Sequence, residues 1–78
     1  MAVLLLFAAA REAAGTNRAD VDGSTVGQVL DAAVARFGEP LARVLAHSRV
    51  WLDGEQAAMD DPVVPASEVA VLPPVSGG

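Results

Sequence analysis

The sequence of 78 residues contains no cysteine, no lysine and no tyrosine, and it has one histidine, His47. Without cysteine the chain has no thiol nucleophile, no disulfide and no cysteine-ligated zinc site. One histidine without cysteine does not form a recognisable metal site, so we expect no bound metal and give His47 a structural place at a helix end. These absences exclude several kinds of chemistry that a small domain commonly carries.

Positive charge is also scarce, because five arginines face ten acidic residues and the formal net charge is -5. Nucleic-acid binding requires a positive stripe that displaces phosphate counterions, so no nucleic-acid partner is expected. The net charge instead favours a basic partner surface through electrostatic steering. The apolar stretch AVLLLFAAA at residues 2–10 lacks a basic leader and is too short to span a bilayer, which predicts no membrane association and a cytoplasmic location by default.

A chain of this length has room for one domain with a modest core. Residues 2–8 are an apolar run of strand length, and residues 18–22 alternate loosely, so we expect two strands paired as a hairpin through an intervening loop. Strands are also predicted at residues 49–53, followed by the tight turn Asp53-Gly54, and at residues 68–72.

The segment STVGQVLDAAVARFG contains the clearest predicted helix. Its apolar residues recur at helical spacing on one face: Val26, Val29, Leu30, Ala33, Val34 and Phe37. Thr25 and Gln28 match a capping box, and Gly38 suits a left-handed C-terminal cap. A second short helix is predicted from Glu39-Pro40, with its apolar residues inward: Leu41, Val44 and Leu45. The whole order predicts an α+β roll in which one main helix covers one face of a small mixed sheet.

The C-terminal stretch LPPVSGG combines a stiff diproline with a bare diglycine. Proline fixes φ, and glycine removes the side chain, so this end is predicted to be a short rigid spacer that carries a thin tip. Residues 1–74 are assigned to the folded domain and residues 75–78 to a flexible tail. The alternative is a frayed terminus without a function.

Strand alternation predicts a second feature, an apolar patch formed by Phe7, Trp51 and Leu72. If the helix covers one sheet face, these side chains lie on the other, and such a patch is typical of a protein-binding surface. The alternative is that loops cover them or that they are isolated exposed residues. The role of Arg11-Glu12 stays open between a solvated pair and a partner contact.

Four motifs together resemble the small subunit of molybdopterin synthase, a sulfur carrier of the MoaD/ThiS type: LFAAAREAAG, STVGQVL, VWLDGE and EVAVLPPVSGG. The resemblance covers nearly the whole chain, and its most specific part is the terminal PPVSGG. It departs from the family pattern at Ala66-Ser67, where an acidic Asp-Gly turn is common before the last strand. The resemblance implies a ubiquitin-like β-grasp fold, in agreement with the predicted element order.

The resemblance also implies a chemistry for the terminal glycine, which here is Gly78. In such proteins an E1-like adenylating partner activates that carboxylate with ATP, a persulfide sulfur donor converts it to a thiocarboxylate, and the large subunit receives the tail. The residues expected to enter the partner are Pro73, Pro74, Val75, Ser76 and Gly77. No cofactor is expected on the chain itself, since the partner consumes the ATP. The sulfur would be transferred to cyclic pyranopterin monophosphate in molybdenum cofactor biosynthesis.

Two other functions stay open at this point. A related carrier could supply sulfur for thiamine, cysteine or another thiolated product, because it would share the fold and the diglycine. A ubiquitin-like modifier would instead be joined through Gly78 to lysines of other proteins. The chain contains no nucleophile paired with a base and no glycine-rich phosphate loop, so it is interpreted as a non-catalytic subunit and not as an enzyme by itself.

Overall fold

The computed structural model of the protein describes residues 1–74. Its elements follow one another along the chain as β1 (Ala2–Leu6), α1 (Ala8–Ala14), β2 (Arg18–Val21), α2 (Val26–Phe37), α3 (Glu39–Leu45), β3 (Arg49–Leu52), β4 (Glu55–Gln56) and β5 (Glu68–Leu72). The predicted α+β class with a mixed sheet is confirmed.

The five strands form one mixed sheet in the order β2-β1-β5-β3-β4. The central pair β1 and β5 is parallel, and the other neighbouring pairs are antiparallel. The first and last strands of the chain therefore lie side by side at the centre of the sheet. Because they are parallel, the end of β1 and the end of β5 reach the same edge of the molecule.

The core lies between the helices and one face of this sheet. Alternate residues of the two central strands are almost completely buried, with Leu4, Val69 and Val71 each at 0% exposure. The helices supply the opposing apolar side chains, among them Val26, Val29, Ala33 and Leu41. Such alternation is what a sheet covered on one side requires. The second face of the sheet has no helix on it and is called the open face below.

Both predicted capping side chains of α2 form hydrogen bonds, but Gln28 pairs with the residue before the N-cap and not with the N-cap amide of a capping box. The Thr25 hydroxyl oxygen accepts from the backbone N–H of Gln28 at 3.2 Å, and the Gln28 side-chain oxygen accepts from the N–H of Ser24 at 2.8 Å. A distant loop completes the cap, because the carbonyls of Asp61 and Met59 accept from the N–H groups of Val26 and Gly27. The N-terminal amides of the helix are thus paired both locally and by tertiary contacts.

The C-terminal cap at Gly38 differs from the prediction. Gly38 has the expected positive φ of 90°, but its ψ is -173°, so it is extended and not left-handed helical. The reason is that Gly38 also starts α3, where its carbonyl accepts from Ala42. Gly38 both ends α2 and redirects the chain into α3. Its combination of φ and ψ is accessible essentially to glycine alone.

The first predicted strand is confirmed but ends two residues early, and the prediction of a loop after it was wrong. β1 ends at Leu6 and not at Ala8, and the segment AAAREAA forms the helix α1 where a loop was expected. Alanine has the highest intrinsic helix propensity, and Gly15 ends α1 with a left-handed φ of 76°. The helix was missed because its alanines continue the apolar run of the strand, and seven residues are too few to show a helical period. β2 still pairs with β1 in an antiparallel manner.

The tight turn after β3 is confirmed, whereas the strand that follows it was missed. Asp53 and Gly54 both have positive φ values, 50° and 86°, and they join Leu52 to its partner Glu55. This is the geometry that Asp-Gly favours in a two-residue hairpin. β3 itself stops at Leu52, one residue before the predicted end. β4 has only two residues, which is too short for an alternating pattern.

Candidate functional site

The open face presents rows of side chains that the strand register aligns. In the middle row Leu5 of β1, Ala70 of β5 and Trp51 of β3 are direct neighbours. All three are half-buried although no helix covers them. Arg18 of β2 is paired with Leu5 and continues this row toward one edge of the sheet. The centre of the open face is therefore apolar.

The last strand brings the chain to the edge of this face. Leu72, at the end of β5, is 40% exposed and is paired with Arg49 of β3. Pro73 is half-buried and Pro74 is exposed. Neither proline has a backbone N–H to donate, so pairing with the sheet cannot continue through them. Of the predicted tail residues, Val75, Ser76, Gly77 and Gly78 lie outside the described residues.

Phe7 lies at the same edge, next to the end of β5. Its backbone is extended, its N–H donates to the carbonyl of Val71 at 3.3 Å, and it is 47% exposed. The chain then turns abruptly, because Ala8 has a φ of 50°, in the left-handed region that residues with a side chain rarely adopt. The Phe7 carbonyl accepts from Ala10 and Arg11 in the first turn of α1. The turn at Ala8 thus leaves Phe7 as the last extended residue beside the sheet.

The three predicted patch residues lie on one face but line two clefts. Trp51 and Leu72 share a cleft of about 300 Å³ with Pro73 and Pro74. Phe7 lines a separate cleft of about 370 Å³ together with Leu5. Phe7 is one position beyond the Leu6–Val71 pair, so Phe7 and Leu72 are adjacent across β1 and β5. Their role as a partner surface stays a prediction.

Three cations lie at this edge, and of these the sequence analysis considered only Arg11, whose role it left open, and missed Arg18 and Arg49. Arg11 and Arg18 line the cleft of Phe7, and Arg49 lines the cleft of Trp51 with His47. Alternation could have found Arg49, because it precedes Trp51 by two positions in the same strand. Arg18 could not have been found in this way, since its position depends on how β2 pairs with β1. His47 follows α3, as predicted, and its backbone N–H donates to the Val44 carbonyl.

The described part of the chain contains no cluster of potential metal ligands. Within residues 1–74 no group of three or more His, Cys, Asp or Glu side chains could hold a metal ion. In the same range no helix is both long enough and apolar enough to cross a membrane. A cleft of about 470 Å³ between α2 and α3 lies on the helix side of the sheet, away from the open face. The candidate functional site is therefore the open face together with the edge where β5 ends, because the predicted tail begins there.

Comparison with known proteins agrees with this arrangement. The model of one family, described as the ThiS family, matches residues 4–78, a range that includes Gly77 and Gly78. Small archaeal modifier protein 1 of Haloferax volcanii is 42% identical over 94% of this chain and 95% of its own length. A molybdopterin synthase sulfur carrier subunit of Drosophila erecta is 37% identical over 96% of this chain and 88% of its own length.

A solved structure shows the same fold. The solution structure of small archaeal modifier protein 1 from Methanosarcina acetivorans superposes with a TM-score of 0.88 at 25% identity, covering 99% of this chain and 95% of that one. The mixed sheet and its helices are therefore the ubiquitin-like β-grasp fold that the sequence predicted.

Proposed function

The chain belongs to the ThiS family, and from this premise we propose that it is the sulfur carrier subunit of a molybdopterin synthase. The observation that supports this most directly is that the family match runs through the terminal diglycine. Similarity over nearly the full length to fly proteins that are named as this subunit supports the same pathway. The chain itself would hold no cofactor.

The proposed chemistry takes place at the carboxylate of Gly78. A carboxylate oxygen attacks the α-phosphorus of ATP on an E1-like partner, pyrophosphate leaves, and an acyl-adenylate is formed. Activation is needed because a carboxylate is a poor electrophile with a poor leaving group. The terminal sulfur of a persulfide donor then attacks the acyl carbon, AMP leaves, and an acyl disulfide with the donor is formed. A second thiol, supplied by the partner or the donor, attacks the donor's sulfur of that S–S bond, so the thiocarboxylate is released and the two thiols end as a disulfide. The net change on the chain is one oxygen exchanged for one sulfur. Because ATP is consumed, the proposal includes a cytoplasmic location.

The edge where β5 ends suits a protein that binds two partners in succession. Phe7, Trp51 and Leu72 provide partly exposed apolar surface on the open face, which is where we propose that the E1-like enzyme and the large subunit dock. Pro73 and Pro74 follow directly and restrict the chain that leads toward Gly78, which lowers the entropy lost on insertion. Docking and delivery would therefore use the same edge of the molecule.

The experiment that tests the function is intact mass spectrometry of the purified chain. The chain is incubated with ATP, an E1-like enzyme from the same genome, a persulfide donor and a thiol reductant. The expected product is heavier by the difference between sulfur and oxygen, and a variant without Gly78 stays unmodified. Addition of the large subunit and the pterin precursor should return the carrier to its original mass. An unmodified chain, with an E1-like enzyme that is active on another carrier, would contradict the proposal.

A second function is favoured by the similarity to the archaeal modifier at 42% identity. As a modifier, Gly78 would be joined to lysine amines of other proteins. Epitope-tagged chain recovered from cells would then appear in bands of higher mass that are lost without Gly78. If the mass shift occurs but neither the pterin nor protein lysines accept, a carrier for another thiolated product is the remaining reading.

A further inference from the structure

On the open face, positive and negative side chains lie at opposite ends of the strands. At the edge where β5 ends, the exposed arginines Arg11, Arg18 and Arg49 line the two clefts around Phe7, Trp51 and Leu72. These three arginines are called the cationic arc. Among residues 1–74 the one ion pair is formed by Arg43 and Glu39 on α3, so no described carboxylate forms an ion pair with the arc, although Glu12 follows Arg11 in α1.

The carboxylates of the open face lie at its opposite end. Asp20 and Glu68 are both paired with Val3 at the start of β1, and both are exposed. Asp53 joins them, because its side-chain oxygen accepts from the N–H of Glu68 at 2.8 Å. The chain has a net negative charge, but the edge where we propose docking therefore carries positive charge.

The separation is largest for Arg49, which is paired with Leu72. Glu68 and Leu72 are four positions apart in β5, which corresponds to roughly 13 Å along an extended strand. Arg18 is only two positions from Asp20 in β2, roughly 7 Å along the strand, so the field of Arg18 is partly offset by that carboxylate. The Debye length at physiological ionic strength is about 8 Å. A surface that covers Phe7 and Leu72 therefore meets mainly the field of the arc.

We infer that the partner surface that covers the open face is apolar at its centre and carries aspartate or glutamate side chains on its rim, facing Arg11, Arg18 and Arg49. This inference rests on the proposed function, and it reverses the basic partner surface that the net charge favours. An acidic rim would orient the carrier so that its β5 edge points into the partner. Complementary charge of this kind acts mainly on the association rate and on orientation.

The test measures how charge reversal in the arc changes association with the E1-like enzyme and with the large subunit. The variants are Arg49→Glu and Arg18→Glu, and the matched control is Arg43→Glu, which makes the same charge change at an exposed site on α3. At low salt the arc variants should associate on the order of tenfold more slowly than wild type, and the difference should shrink in 1 M NaCl, where the Debye length is about 3 Å. Arg43→Glu and Arg49→Lys should stay close to wild type.

The possible outcomes separate this inference from the proposed function. Unchanged or faster association of both arc variants, while Phe7→Asp still weakens binding, would overturn the acidic rim and leave the docking face in place. If wild type neither binds these partners nor gains sulfur, the proposed function fails and the inference with it. Wild type could instead self-associate in a salt-sensitive way that Arg49→Glu abolishes, and the arc would then bind a second copy of the chain. Tight binding of an RNA oligonucleotide would show that the arc binds phosphates. Either result would overturn the inference.

Discussion

Replacement of Phe7 by aspartate should weaken partner binding far more than it weakens the fold. Phe7 is 47% exposed, and it lies between β1 and α1, where its side chain forms no hydrogen bond that caps the helix. Only part of the Phe7 side chain is therefore buried in the free protein. If the partner covers the remainder, the loss on substitution should appear mostly in association.

The size of this loss follows from the exposed surface. A phenylalanine buries roughly 200 Å² when it is fully covered, so the exposed 47% corresponds to roughly 95 Å² that a partner could cover. At about 25 cal/mol per Å² this burial contributes about 2.4 kcal/mol to binding. The dissociation constant should then rise about 50-fold, before any cost of burying the new carboxylate is added.

The assay is calorimetric titration of the large subunit with each variant, together with thermal unfolding of the free chain. Val64→Asp is the matched control, because Val64 is likewise an exposed apolar residue, at 61%, but lies in the loop before β5. Phe7→Asp should bind far more weakly, whereas Val64→Asp should bind like wild type, and both should remain folded. Equal affinity of Phe7→Asp and wild type would refute the assignment of Phe7 to the docking surface.

Three further changes test the fold and the tail. Thr25→Ala removes the acceptor for the Gln28 N–H and should lower the free energy of unfolding by about 1 kcal/mol in urea titrations, while an unchanged midpoint would show that the loop carbonyls suffice as a cap. Gly38→Ala should cost about 1–2 kcal/mol in the same titration because φ is 90° there, although a new Cβ would make only an ordinary van der Waals contact with Pro40 Cδ at 3.7 Å. Removal of Gly78 should abolish the mass gain and leave the melting temperature unchanged, since the described strands end at Leu72; a large drop in melting temperature would contradict this.

Features that depend on neighbouring residues could be predicted from the sequence. The apolar period of α2, the Thr25 and Gln28 cap and the Asp53-Gly54 turn all appear in the structure. Each is decided by contacts within a few positions of the chain. The prediction was wrong for α1, where the alanines suit both an apolar strand and a helix, and the left-handed turn at Ala8 has no signature in the sequence.

The candidate site shows the same division between local and distant contacts. Alternation placed Leu72 and Phe7 on the outer face, and both side chains are exposed there. Whether they lie near each other depends on the parallel pairing of β1 and β5, which brings together residues more than 60 positions apart. The same pairing decides which charges surround them.

The α+β class, the main helix with its N-terminal cap, and the resemblance that implies a reactive end at Gly78 could all be obtained from the sequence. These depend on short-range periodicity, turn chemistry and a motif, all of which are written in consecutive residues. The tertiary structure alone decided that Arg11, Arg18 and Arg49 collect at the β5 edge while Asp20 and Glu68 lie at the other end. Strand register joins residues that are distant in the chain, and composition reports only the sum of their charges.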